Sequence, residues 1–262
     1  MITPLSDFKT IFNMKILFVF ALLAVIFSIA IGNLIDEDTA ILVGNYIYIP
    51  VGIVFVTVSI IALVRFGFEG SIHGLAWMAF AGFAVSWFIG NNVWTLEELF
   101  FEEEPYPSAA DLFYLIGYPF LLMFLVQYLV PMRMAITKNM VWTSLASSVI
   151  LLGIFLYVLE YSTSSELLFV DAFSLAYPLA DIFVLFPSII GLILFFRGKT
   201  NFMWSMILFG IVLTTLGDLW FMYLQVYPEE SYYTGHPVEI LFLTSYVFMM
   251  FGVHHHIKTF AK

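Results

Sequence analysis

The segment "PSAADLFYLIGYP" at 107–119 sets Asp111, Tyr114 and Tyr118 at i, i+3 and i+7, so a helix would carry one carboxyl and two phenols on a single face. The association recurs along the chain. Tyr177 and Asp181 are four residues apart, as are Thr214 and Asp218; Glu239 opens "EILFL"; Asn91, Asn92 and Trp94 stand in "GNNVW", and Trp220 closes "GDLW". Carboxyls, amides, phenols and indoles together can hold a ligand by hydrogen bonds and ring faces, and paired acids can also serve as general acid and base. These twelve residues are the candidate ligand-binding set. No catalytic role, metal or cofactor is assigned to them.

Their setting makes them unusual. The chain of 262 residues is 62% hydrophobic and 11% charged, with a mean hydropathy of +1.01, too apolar for any soluble interior of that size. Eight apolar runs, near 14–32, 41–64, 74–95, 110–130, 141–159, 172–196, 201–223 and 237–256, are long enough to cross the hydrocarbon layer as helices. The expected fold is an all-α integral membrane protein of eight transmembrane helices, one domain over 1–262 with short tails at 1–13 and 257–262. A carboxyl in mid-membrane costs about 2.5–3.5 kcal/mol even on lenient scales, so Asp181, some ten residues into the sixth run, must face a bundle interior or a wet recess. Asp218, Asp111, Glu239 and the Asn91 cluster lie outward of it, which predicts a cavity open to the outside.

The bases fix the expected orientation. With the N-terminus in the cytoplasm, Lys9, Lys15, Arg65, Arg133, Lys138, Arg197, Lys199, Lys258 and Lys262 all fall on the cytoplasmic side, and both termini lie inside the cell membrane. The opposite connections, "LIDEDTA", "LEELFFEEEPYPS", "EYSTSSELLFVD" and "YPEESYYTGH", are acidic, either as a solvated outer face or as an attractive field for cations. "GNL", "GNNVW" and "GDLW" recur near the outer ends of odd helices, and Asp111, Asp181, Glu239 and Asn45 open similar even ones, a pattern expected of four related helical hairpins. Prolines 50, 119, 178 and 187 fall inside spans, where each frees a carbonyl.

Several chemistries are excluded. There is no cysteine, hence no disulfide or thiolate site. No H-E-x-x-H, G-x-S-x-G or P-loop occurs, and no basic patch could hold nucleic acid. "HHH" at 254–256 cannot easily close on one ion, because consecutive helical residues point about 100° apart. His73 reads as isolated, and His236 as a neighbour of the cavity.

"PSAADLFYLIGYP", "AYPLADIFVLFP", "LGDLWFMY" and "GHPVEILFLTSYVF", in that order over about residues 90 to 252, resemble the multi-helix membrane sensor region that precedes GGDEF diguanylate cyclases and some histidine kinases. The resemblance implies that Asp111, Tyr114, Tyr118, Tyr177, Asp181, Asp218 and Glu239 hold the recurrent polar positions. This sequence ends at Lys262, soon after the last helix, so a signal is expected to leave through a separate cytoplasmic or membrane partner. The favoured expectation is therefore a sensor that binds a small molecule, lipid or cation. The alternatives are a membrane lipid hydrolase of the lysoplasmalogenase-like kind, a proton-coupled transporter, or a structural subunit of a membrane complex. Fold kinship does not choose among them.

Overall fold

The structure is a computed structural model. It describes residues 5–67, 73–101, 106–160, 168–196, 198, 200–226 and 232–260, with side chains from 14 to 158 and from 175 to 260 within those ranges. Arg197, Lys199, Lys262, the Lys9 side chain, and parts of the last three acidic connections lie outside the described residues.

Among the described residues eight α-helices form: α1 (Leu5–Ile35), α2 (Glu37–Phe66), α3 (Gly74–Phe100), α4 (Ala109–Leu129), α5 (Lys138–Glu160), α6 (Leu168–Phe195), α7 (Asn201–Val226) and α8 (Glu239–Phe260), with a 3-10 turn at Val130–Ala135 after α4. The shortest has 21 residues and rises about 31 Å, enough to cross a bilayer. All eight contain a membrane-compatible apolar window. The chain is an all-α, multi-pass membrane protein.

The helices outrun the predicted apolar segments because capping residues carry them further. The stretch "LIDEDTA" is not a loop: α1 runs to Ile35, and Asp36 alone separates it from α2, its carboxylate accepting from the Thr39 N–H at 2.7 Å. That bond holds the Asp36 carboxyl below its ordinary range. Ser108 and Asp111 make a reciprocal capping box at the start of α4. The four prolines sit inside α2, α4 and α6 as expected.

Packing sorts the helices into a ring and two outriders. α2, α3, α4, α6, α7 and α8 each pack against the next, and α8 returns to α2, closing a six-helix ring. α1 lies outside against α2 and α8, and α5 lies outside against α6 and α7. Only 11% of the α1 window and 17% of the α5 window is buried, against 67% for α3 and α8. Sequential hairpins are present, and the ring arranges them as two halves, α1–α4 and α5–α8, whose ring helices α2, α3, α4 and α6, α7, α8 follow in the same order, while α1 leans on both halves and α5 on its own. Both halves run the same way through the membrane, since each contains an even number of spans.

Close helix contact depends on small residues. A Cβ on Gly117 of α4 would strike the Trp87 indole of α3, which is held there by an Nε1–H bond to the Tyr114 carbonyl at 3.0 Å. Gly235, at φ +95°, lets the α7–α8 connection descend onto Gly44 and the Ala40 carbonyl of α2.

One end of the ring carries Asp36, Glu37, Asp38, Glu97, Glu98, Asp111 and Glu239; the other carries Arg65, Arg133, Lys138 and Lys258. Between the middle and the basic end the ring is filled with aromatic rings: Phe83, Phe80, Phe124, Trp77, Tyr128 and Trp204 pack edge to face or tilted. His73 is not isolated. It stacks on Tyr128 at 4.1 Å, and burial pushes its imidazole below the ordinary range, toward the neutral ring that stacking suits. His256 turns inward against Trp77 and Phe66, while His254 and His255 are half-buried, so the three histidines diverge as the helical spacing requires.

Candidate functional site

A cavity opens at the acidic end, with about 950 Å³ of space when its open mouth is included, and all six ring helices contribute to its wall. Of the twelve candidate residues, nine line it: Asn91 and Trp94 from α3, Asp111, Tyr114 and Tyr118 from α4, Tyr177 from α6, Thr214 and Asp218 from α7, and Glu239 from α8. Three do not. Asn92 turns back to the Phe88 carbonyl at 2.7 Å, and Trp220, 38% exposed, packs edge-on to the His236 ring outside the cavity. Asp181, 1% exposed, lies behind the cavity floor and connects to it through Tyr118. His236 is likewise absent from the wall; its Nδ1 accepts from the Val238 N–H at 3.2 Å.

The acids are fastened by phenols from other helices. Tyr177 of α6 donates to Asp111 Oδ1 at 2.5 Å. Tyr48 of α2 donates to Glu239 Oε2 in a very short bond, and Tyr232 donates to the other oxygen at 2.5 Å. Burial, reinforced by Glu239 itself, pushes the Tyr232 phenol well above its usual range, so it remains a donor. On the floor, the Tyr118 hydroxyl lies 3.0 Å from Asp181 Oδ1 and 2.9 Å from Asp218 Oδ2. A phenol has one hydrogen. That hydrogen is within donating reach of both acids.

The amide side of the cavity is equally tied. Tyr114 donates to Asn91 Oδ1 at 2.8 Å, and Asn91 Nδ2 donates to Tyr246 at 3.0 Å. Trp94 Nε1 donates to Thr234 Oγ1 at 2.9 Å, binding α3 to the α7–α8 connection. Asn45 Nδ2 donates to Glu98 Oε2 at 2.7 Å and to the Ile41 carbonyl at 3.0 Å. Two polar atoms on the wall have no bond among the described residues: Asn45 Oδ1 and Thr214 Oγ1, both buried.

The polar contacts repeat between the halves. Asn91 and Asp218 each follow a glycine, 127 residues apart by subtraction; Asp111 and Glu239, and likewise Tyr118 and Tyr246, are 128 apart. In both halves a residue late in the third helix bonds the tyrosine seven places after the acid opening the opposite half's fourth helix. A phenol of the second helix in one half, Tyr48, and of its counterpart in the other, Tyr177, serves the acid nearest to it. Where the first half has the amide Asn91, the second has the acid Asp218.

Sequence reasoning missed Tyr48, Trp87, Tyr232, Thr234 and Tyr246 as wall residues. Tyr246 carried a signal, since it stands seven residues after Glu239 as Tyr118 does after Asp111. Tyr232 and Thr234 come from a connection, where no helical periodicity marks them. Among the described residues no group of three or more His, Cys, Asp or Glu could hold a metal ion.

No protein-family model matches the chain, and no curated protein or solved structure gives a significant match to it.

Proposed function

We propose that the chain is a receptor-like membrane protein that holds a small molecule in the acidic-end cavity and passes a change of packing to a cytoplasmic or membrane partner. One observation carries this reading: a hydrogen-bonded cavity whose wall draws on every helix of the ring sits above a continuous column of packed aromatic rings. Tyr246 touches Trp87, Trp87 touches Phe83, and the contacts continue through Phe80 and Trp77 to His256 at the basic end. A ligand that moves Trp87 or Tyr246 has rigid neighbours to push. The same column favours a receptor over a carrier, because a carrier needs a polar route where these rings pack. Resemblance to the sensor region before cyclases and kinases points the same way.

The cysteine-free chain makes the test direct. Spin labels at Lys138→Cys and Lys258→Cys report on the basic end, and tryptophan fluorescence reports on the cavity. A panel of soluble cationic, neutral and anionic aromatics is added to protein in nanodiscs. Any compound that changes the fluorescence is expected to shift the label–label distance distribution. Cavity binding with unchanged distances would overturn the receptor reading.

A further inference from the structure

We infer that the ligand of this cavity is an organic ammonium cation, recognised through carboxyl oxygens and Asn45 Oδ1 and packed by its carbon frame against aromatic walls. The inference rests on the ligand-binding reading above and names the class of molecule that reading left open.

The argument is an inventory of hydrogens. Five phenols, Tyr48, Tyr114, Tyr118, Tyr177 and Tyr232, already direct theirs to acids or to Asn91. The Trp87 and Trp94 indoles and both Asn45 amide hydrogens are also committed, and Asn91 gives one of its two to Tyr246. What the wall still offers is mostly acceptor capacity. Asn45 Oδ1 is an amide oxygen that can only accept, buried to 1% exposure and without a partner among the described residues. Asp218 uses one oxygen for Tyr118 and is half-buried at the wall. Thr214 and Tyr246 hydroxyls can turn either way, and the exposed Gln225 amide stands at the mouth.

Charge narrows the class further. Among the described residues the wall holds Asp111, Asp218 and Glu239, and no lysine, arginine or histidine. An anionic ligand would face uncompensated repulsion in a low-dielectric site, and a neutral donor could satisfy Asn45 Oδ1 but would leave the charge of the acids unanswered. Among the described residues no acidic cluster of three or more could hold a bare metal ion, and the three wall acids bond different phenols: Asp111 to Tyr177, Asp218 to Tyr118, and Glu239 to Tyr48 and Tyr232. An ammonium group supplies N–H donors, and Trp87, Tyr114 and Phe242 line the cavity as aromatic surface for its carbon frame. The nitrogen could belong to a free amine or to the headgroup of an aminophospholipid.

The test compares phenethylammonium, 2-phenylethanol and phenylacetate, which share a ring and differ in charge. Each is titrated into protein in maltoside detergent, free of lipid amine, with thermal stability and tryptophan fluorescence as readouts. Phosphatidylethanolamine against phosphatidylglycerol forms a separate arm. Stabilisation by phenethylammonium alone points to a free amine, and stabilisation by phosphatidylethanolamine alone to a lipid headgroup; either result supports the ammonium class. Affinity should fall roughly tenfold or more in Asp218→Asn and in Glu239→Gln, the scale of a lost charge-assisted hydrogen bond. The outer-surface control Asp38→Asn should leave it unchanged. Preference for the alcohol or the carboxylate overturns the ammonium inference while leaving a ligand-binding cavity. No response in any arm overturns both. Amine binding that leaves the basic end still preserves the ammonium inference and removes the receptor reading.

Discussion

Asn91 and Asp218 hold equivalent places in the two halves, each bonded across the ring to a tyrosine of the opposite half, Tyr246 at 3.0 Å and Tyr118 at 2.9 Å. The pair shows that the same position accepts either an amide or an acid without loss of the bond. Asp218→Asn should therefore fold, with a melting temperature within a few degrees of the parent, a shift of about 1 kcal/mol or less for a domain of this size. A thermal denaturation profile in detergent checks this. Collapse of the variant would show that the negative charge, and not the hydrogen bond, holds α7 to α4.

Tyr118 joins Asp181, behind the floor, to Asp218 on the cavity wall. Removing its hydroxyl in Tyr118→Phe leaves two buried carboxyl groups without that partner, a cost of about 1–3 kcal/mol. Asp181→Asn should cost less, because the amide can still accept from the phenol. Two acids facing a single phenolic hydrogen predict that one of them keeps its own proton: the parent protein should show the infrared carbonyl band of a protonated carboxylic acid at neutral pH. That band should vanish in the Asp181→Asn, Asp218→Asn double variant. Its persistence there would assign the proton elsewhere.

The helices were legible because lipid exposure demands unbroken apolar runs, and those runs survive in the bare sequence of α1 and α5 as clearly as in the ring. Their ends were less so. Asp36 and Ser108 extend α2 and α4 by capping, which hydropathy does not register. Within the site, Asn91 was readable but Asn92 was misplaced, since adjacent helical residues point about 100° apart and only one can face the ring. Trp220 fails for the same reason, two residues past Asp218 and on the far side of α7. Depth alone identified Asp181 as important and could not show that Tyr118 stands between it and the cavity. The closure of six helices into a ring depends on contacts between distant helices, such as α8 with α2, and no local pattern announces them.

The α7–α8 connection should behave as a fixed part of the cavity wall. Gly235 sits at φ +95°, a Cβ there would meet the Ala40 carbonyl, and Asn33 Nδ2 ties its carbonyl to α1 at 2.7 Å. Gly235→Ala is expected to destabilise by about 1–3 kcal/mol and to loosen the neighbouring Thr234–Trp94 bond. Hydrogen exchange would register this as faster exchange at 232–238 with α3 largely unchanged. Uniform loss of protection throughout the ring would instead mean that the connection is needed for folding.

Orientation in the membrane is the remaining expectation, and the absence of cysteine again simplifies its test. The described bases Arg65, Arg133, Lys138 and Lys258 cluster at one end of the bundle and the acids at the other, the asymmetry that translocation reads most strongly. Single cysteines at Asp38 and at Lys138 occupy exposed positions at opposite ends. In intact cells an impermeant maleimide should label Asp38→Cys and spare Lys138→Cys until the membrane is opened. The reverse pattern would put the cavity on the cytoplasmic side. An ammonium ligand would then have to come from inside the cell, where the lysines and arginines were expected to lie.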